Sequence, residues 1–441
     1  MRPLREKLLS LQCHFTWNFG IKDKVNAAHI LQKLALQAEH TPYHNRGTLI
    51  AMRAYLLQVQ GSYQEALESL EEAEEALKQD HPTSFSCQVL AAYGNYAWIY
   101  YHLTNYDMVE LYLAKIHEIC QTLSSPEPYS VLIPEIHAQK GWFLLAMGFR
   151  NGEEATECFR MALEGDASKA EYHAGLAISV FASWRTTWRD DLKREAKDLM
   201  EEIILSQPQS YEIKVYLASL LPRRAWQRVN HLVEGVVQNS FNPEVLRTAA
   251  QLCQSQSLSQ AITILKQAIA LDPNYHLLHY DLGICYKNQM EGASPEGRAE
   301  MLAAATESFK RAVEMDPLFI YPTLELAKAY GETSPAYEEE IFQNLMEELP
   351  STSERCQQAI YLHWGDFLLH RKGLKHEALE MYKAGLAISD LQNRERRQLK
   401  DRLMNLVKMF QEDPETKATY SVAPLSYGEN LDICFRRRII E

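Results

Sequence analysis

A spacing of small and apolar residues recurs along this chain and leaves few architectures open to it. Ala261, Leu265, Ala268 and Pro273 stand 4, 3 and 5 residues apart, and Ala305, Phe309, Ala312 and Pro317 repeat the set 44 residues later. The same steps join Ala66, Leu70 and Ala73, then Ala155, Phe159 and Ala162. They return in Ala196, Met200 and Ile203 with Pro208, and in Ala378, Tyr382 and Gly385. Steps of three and four place residues on one helix face, and small residues there let a second helix approach closely. A proline cannot continue the helix it closes. One such set could arise by chance; six in 441 residues call for a common unit. Between the sets apolar residues recur with the helical period, almost nothing alternates with period two, and breaks such as Asp272-Pro273 separate the segments.

A helix pair of roughly 34 residues with small residues at its contact and a closing proline is the tetratricopeptide repeat. Gly283 and Tyr286 supply the small and aromatic positions of a first helix between two of the sets. The sequence therefore predicts an all-α tetratricopeptide-repeat solenoid, a helical superhelix with inserted helical stretches and a concave binding channel. Where the period exceeds the unit, insertions are expected between repeats, as at Glu291–Arg298. Residues 1–50 read as N-terminal helices packing on the first repeat. Residues 51–410 read as the superhelix, in sub-arrays of about 51–205 and 206–410. Residues 411–441 read as a poorly ordered tail, with Arg436, Arg437 and Arg438 as solvated charges.

Composition narrows the function classes. No apolar run approaches the ~18 residues of a membrane span, and the charged start Met1–Ser10 lacks the core of a signal peptide. The eight cysteines are scattered without a C-x-x-C pair, and no Asn-x-Ser/Thr acceptor occurs. A cytoplasmic protein with reduced thiols is expected, with no membrane partner. The net charge of −13 argues against a general nucleic-acid coat but leaves room for a local basic pocket.

Catalytic patterns are missing: there is no phosphate-binding glycine loop, dinucleotide fingerprint, nucleophile elbow or H-E-x-x-H. His376-Glu377 has no second histidine one turn on, so no zinc site, other metal or cofactor is expected. The runs Glu68–Glu75 and Glu338–Glu340 fan around their helices as solvated faces. The chain is expected to bind rather than catalyse. Trp184-Arg185-Thr186-Thr187-Trp188-Arg189, taken as a loop insertion, interleaves aromatics with cations. That chemistry suits stacked bases and held phosphates, with packing as the plainer account.

Longer strings carry a family likeness. Cys13-His14-Phe15-Thr16-Trp17-Asn18, the run Gly94–His102, Leu123–Pro126, Pro134-Glu135, Gly141-Trp142 and Leu282–Lys287 occur in this order. Together they resemble the interferon-induced proteins with tetratricopeptide repeats, from about residue 8 to 410. The resemblance implies a cytosolic, interferon-induced antiviral effector of innate immunity. Several members hold single-stranded viral RNA by its 5′ end in a positively charged channel. They recognise a triphosphate or a cap lacking ribose methylation, and so sequester the RNA or block its translation. Others act through protein contacts, with the translation machinery or antiviral signalling proteins as partners. Members assemble as homo- or hetero-oligomers.

Carried over by position, the resemblance makes Lys33 and Gln37 polar contacts to the RNA end and Trp142 the ring that stacks on a base. It makes Arg247 a channel cation and places His279 among further RNA contacts. The phosphate-binding members carry Lys, Tyr and Arg where this chain has Ala146, Gly152 and Ala182. Thr248, Gln251, Asp281 and Glu212 depart as well. Arg150, Arg185 and Arg189 lie close to the lost positions and are expected to compensate. A triphosphate with too few cations leaves charge unpaired, so weak selection for that end is expected. The alternative function is a protein-interaction scaffold in antiviral signalling or apoptosis, without triphosphate recognition. A positive inner face through Lys33, Arg150, Arg185 and Arg247 would separate the two. A chaperone-binding reading needs a Lys/Asn carboxylate clamp, which cannot be traced.

Overall fold

The computed structural model describes residues 2–17, 24–43, 45–388 and 393–412. The expected tail, with Arg436–Arg438, lies outside the described residues beyond Glu412. Among the described residues the chain is built from α-helices and short 3-10 turns, with one isolated bridge between Glu127 and Ser130.

The recurring spacing is the buried seam of the second helices. In the helix Leu258–Leu271, Ser257 caps the start by accepting from the Gln260 amide at 3.3 Å, and Ala261, Leu265 and Ala268 are fully buried. The helix stops at Asp272, before Pro273. Ala305, Phe309 and Ala312 play the same part in Pro295–Met315, capped by Ser294. That helix runs 21 residues, so the excess over the repeat becomes extra turns of the second helix after a short break at Glu291–Ser294. The four remaining sets are buried too.

Several first helices answer with a glycine. Gly283 faces Phe309, Gly141 and Gly175 face Phe159 from either side, and Gly365 faces Tyr382. A Cβ on Gly283 would stand 2.5 Å from the Phe309 ring, so only glycine lets the aromatic lie against the backbone. The expected loop at Trp184–Arg189 is instead the end of the helix Ala170–Thr187. Trp184 continues the buried face one turn after Phe181, their rings 5.7 Å apart, and Trp188 ends the helix in the left-handed region at φ 57°.

The chain divides into two compact units, Met1–Leu326 and Ala327–Glu441, with the division inside the helix Ile320–Gly331. The first unit holds two apolar cores, one from Leu8 to Leu220 and one from Val215 to Cys285. The helix Lys24–His40 serves both, giving Ile30 and Leu34 to one and Leu36 to the other. Its Gln32 amide donates to the Asn274 carbonyl at 2.8 Å and meets Nδ1 of His276 at 2.7 Å. In the second unit Phe342, Trp364 and Phe367 form an aromatic cluster with ring separations of 5.2–5.7 Å.

Candidate nucleic-acid interface

In the first unit the first helices of successive pairs pack side by side: Pro134–Ala146, Ala170–Thr187, Tyr211–Leu220, Pro243–Cys253 and His276–Gln289. In a stacked helix-pair array these helices line the inner face. The helix Lys24–His40 brings Lys33 and Gln37 onto them, where they share a cleft with Trp142, Ala146, Ile178, Glu212 and Tyr216. Its free volume is about 20 Å³, on the order of one water.

Trp142 is held on two sides. Its indole N–H donates to Glu171 at 2.7 Å, and its ring stands edge-on to Phe159 at 5.2 Å. Glu212 closes the other wall. Burial pushes its carboxyl above the ordinary range, while Lys33 and the hydroxyl of Tyr216, donating at 3.2 Å, pull it back. Lys33 acts on Glu244 too.

Arg247 sits one first helix further on. Its Nε donates to Glu244 at 2.8 Å, one terminal nitrogen to Asp281 at 3.0 Å and the other to Glu244 at 3.3 Å. Asp281 also accepts from Gln251 at 2.8 Å, and Glu244 from the Tyr275 hydroxyl at 2.7 Å. Burial disfavours the Arg247 charge, but the two carboxylates outweigh it and hold the guanidinium protonated. Burial likewise raises Glu244, yet Arg247 and Lys33 bring it below its ordinary value. For Asp281 burial prevails and its carboxyl is raised.

The structure thus gathers Lys33, Gln37 and Trp142 around one cleft and places Arg247 in an ion-pair network beside it. His279 is buried on the next first helix, its Nε2 2.9 Å from the Pro273 carbonyl oxygen. Arg150, Arg185 and Arg189 are exposed and do not line the cleft, and Arg189 is paired with Asp191. Glu171, Glu212, Glu244 and Asp281 outnumber Lys33 and Arg247 here, so these residues do not form the continuous positive face that would favour RNA over the scaffold. Glu171, Tyr216 and Tyr275 were not foreseen from sequence. Their partners lie in the same helix or one repeat away, without a local pattern to mark them.

Elsewhere the described residues hold no group of three or more His, Cys, Asp or Glu placed to bind a metal. No described helix is long and apolar enough to cross a membrane. Burial pushes the thiols of Cys13, Cys158, Cys253 and Cys285 up to about 11, which leaves them unreactive.

Residues 250–289 match the family described as a TPR repeat. Over 402 residues the chain is 31% identical to the antiviral innate immune response effector IFIT1 of Homo sapiens, covering 87% of this chain and 84% of that one. It is 29% identical over 429 residues to interferon-induced protein with tetratricopeptide repeats 2 of Homo sapiens, covering 92% and 88%. Among solved structures, human IFIT1 as a dimer with PPP-AAAA superposes with a TM-score of 0.73 at 30% identity, covering 95% and 94%. A monomeric IFIT1 mutant with m7Gppp-AAAA gives 0.76 at 28% identity, covering 95% of each chain.

Proposed function

Since the chain belongs to the interferon-induced proteins with tetratricopeptide repeats, we propose that it is an antiviral effector that binds single-stranded RNA on the inner face of its first unit. It acts in the cytoplasm by sequestering viral RNA or blocking its translation, through binding and without catalysis. The observation that carries this reading is the meeting of Lys33, Gln37 and Trp142, from two distant helices, at one cleft. IFIT1, solved with triphosphate and capped RNA over nearly the same length, supports it. The dimer of IFIT1 supports assembly with copies of itself or with other family members. The carboxylates around the cleft weigh against strong selection for a 5′ triphosphate, so an uncharged 5′ hydroxyl end is the better fit.

The test is a titration with one RNA sequence carrying a 5′ triphosphate, a cap or a 5′ hydroxyl, at two salt concentrations. Each phosphate neutralised on a single strand adds about 0.7 to the salt slope. Trp142→Ala should cost ~1–3 kcal/mol of binding, the worth of one stacked base, with the slope unchanged. No binding of any of the three at low salt would overturn the RNA reading and leave the protein-interaction scaffold.

A further inference from the structure

Arg247 is the one guanidinium of the inner network, and none of its nitrogens is free. Nε and one terminal nitrogen hold Glu244, and the other terminal nitrogen holds Asp281 at 3.0 Å. These are charge-assisted bonds of ordinary length, and they fix the fork in place. Asp281 is itself fixed by the Gln251 amide at 2.8 Å, and its side chain is only 10% exposed. The charges do not balance: one guanidinium faces two carboxylates. Lys33 and Glu212 beside them leave the deficit unchanged while Glu212 is ionised. A triphosphate arriving here adds negative charge to a site that already carries an excess, and Arg247 is already held by two carboxylates.

We propose that Asp281 is a positioning residue that sets which RNA ends this protein accepts. By anchoring Arg247 it keeps the guanidinium from incoming phosphates, and its own charge repels them. The inner face then favours RNA ends of low charge, a 5′ hydroxyl over a 5′ triphosphate. The inference rests on the RNA reading above and adds a residue that decides among RNA ends. It is distinct from the loss of cations at Ala146 and Ala182, because Arg247 is present and held.

The experiment uses the full-length chain with Asp281→Asn, which keeps the shape and an acceptor for Gln251 but removes the charge. The probes are one RNA with a 5′ triphosphate and the same RNA with a 5′ hydroxyl, each titrated at two salt concentrations. Removing one unit charge a few ångström from a phosphate in a partly buried site should tighten triphosphate binding by about tenfold. Hydroxyl RNA should change by less than about threefold, having no terminal charge to gain from. The salt slope for the triphosphate RNA should rise by about 0.7. Adding Arg247→Ala to Asp281→Asn should remove the added salt slope, which depends on the freed guanidinium, and keep the share of the gain that comes from the lost repulsion, a split that a merely structural effect would not predict. Should Asp281→Asn fold poorly, Glu244→Gln releases the other anchor and should move the triphosphate preference the same way. Equal changes for both RNAs would sink the role of Asp281 while the RNA reading stood. Failure of the wild-type chain to bind either RNA would instead sink the RNA reading.

Discussion

His14 lies fully buried among rings, with Phe143 at 4.9 Å and Trp17 at 5.0 Å, and its Nδ1 meets the Asn95 amide at 2.8 Å. Burial pushes its pKa down to about 4 despite the Asn95 hydrogen bond. In the unfolded chain the imidazole titrates near 6.5. The unfolded state therefore takes up a proton first as pH falls. The contribution of His14 to stability is complete above about 6.5 and is lost down to about 4, amounting to about 3 kcal/mol. Thermal melts across that range should fall more steeply for the wild type than for His14→Gln, and parallel curves would refute this. At the inner face, Lys33, Gln37 and Trp142 were legible only through the family likeness. Their types alone say nothing of a shared cleft. Glu171 was not legible, because its bond to Trp142 joins residues 29 apart on neighbouring first helices. The family likeness makes Arg247 a channel cation, but a sequence does not show that two carboxylates hold it.

The helix pairs were legible because their contact rule is local: a small residue wherever a neighbour's ring must fit. Gly283 should therefore resist even one added methyl. With Phe309 only 1% exposed, the ring has nowhere to go, and Gly283→Ala should cost about 1–3 kcal/mol by overpacking. Gly235 supplies the contrast. It lies within the helix Trp226–Asn239, and a Cβ there would meet nothing within 4 Å. Gly235→Ala should thus stabilise by about 0.5–1 kcal/mol through helix propensity. Urea melts of the two variants should move in opposite directions, and a shared direction would show that the repeat contact is looser than described. The segment Trp184–Arg189 departs from its expected loop because packing outweighs local composition. Arg and Thr suggest a break, but the buried face of Phe181 and Trp184 carries the helix through them.

The second compact unit depends on its late helices. Phe342 is fully buried, and Trp364 and Phe367 stand within 5.7 Å of its ring. A chain ended before residue 360 would lack Trp364 and Phe367 and so uncover it. Such a chain should melt lower than the full-length protein and aggregate, as read by light scattering on a sizing column. A monodisperse product with an unchanged melting temperature would show that these helices are dispensable. The first unit carries a dependence of another kind. Gln32 and His276 touch across 244 residues in a fold whose other contacts mostly join neighbours in sequence. On a ribosome adding about 5–20 residues per second, the helix Lys24–His40 emerges roughly 10–50 s before the segment that completes its surroundings. For most of that interval Leu36 waits for residues 215–253 to supply its core, while Ile30 and Leu34 of the same helix can already enter the first.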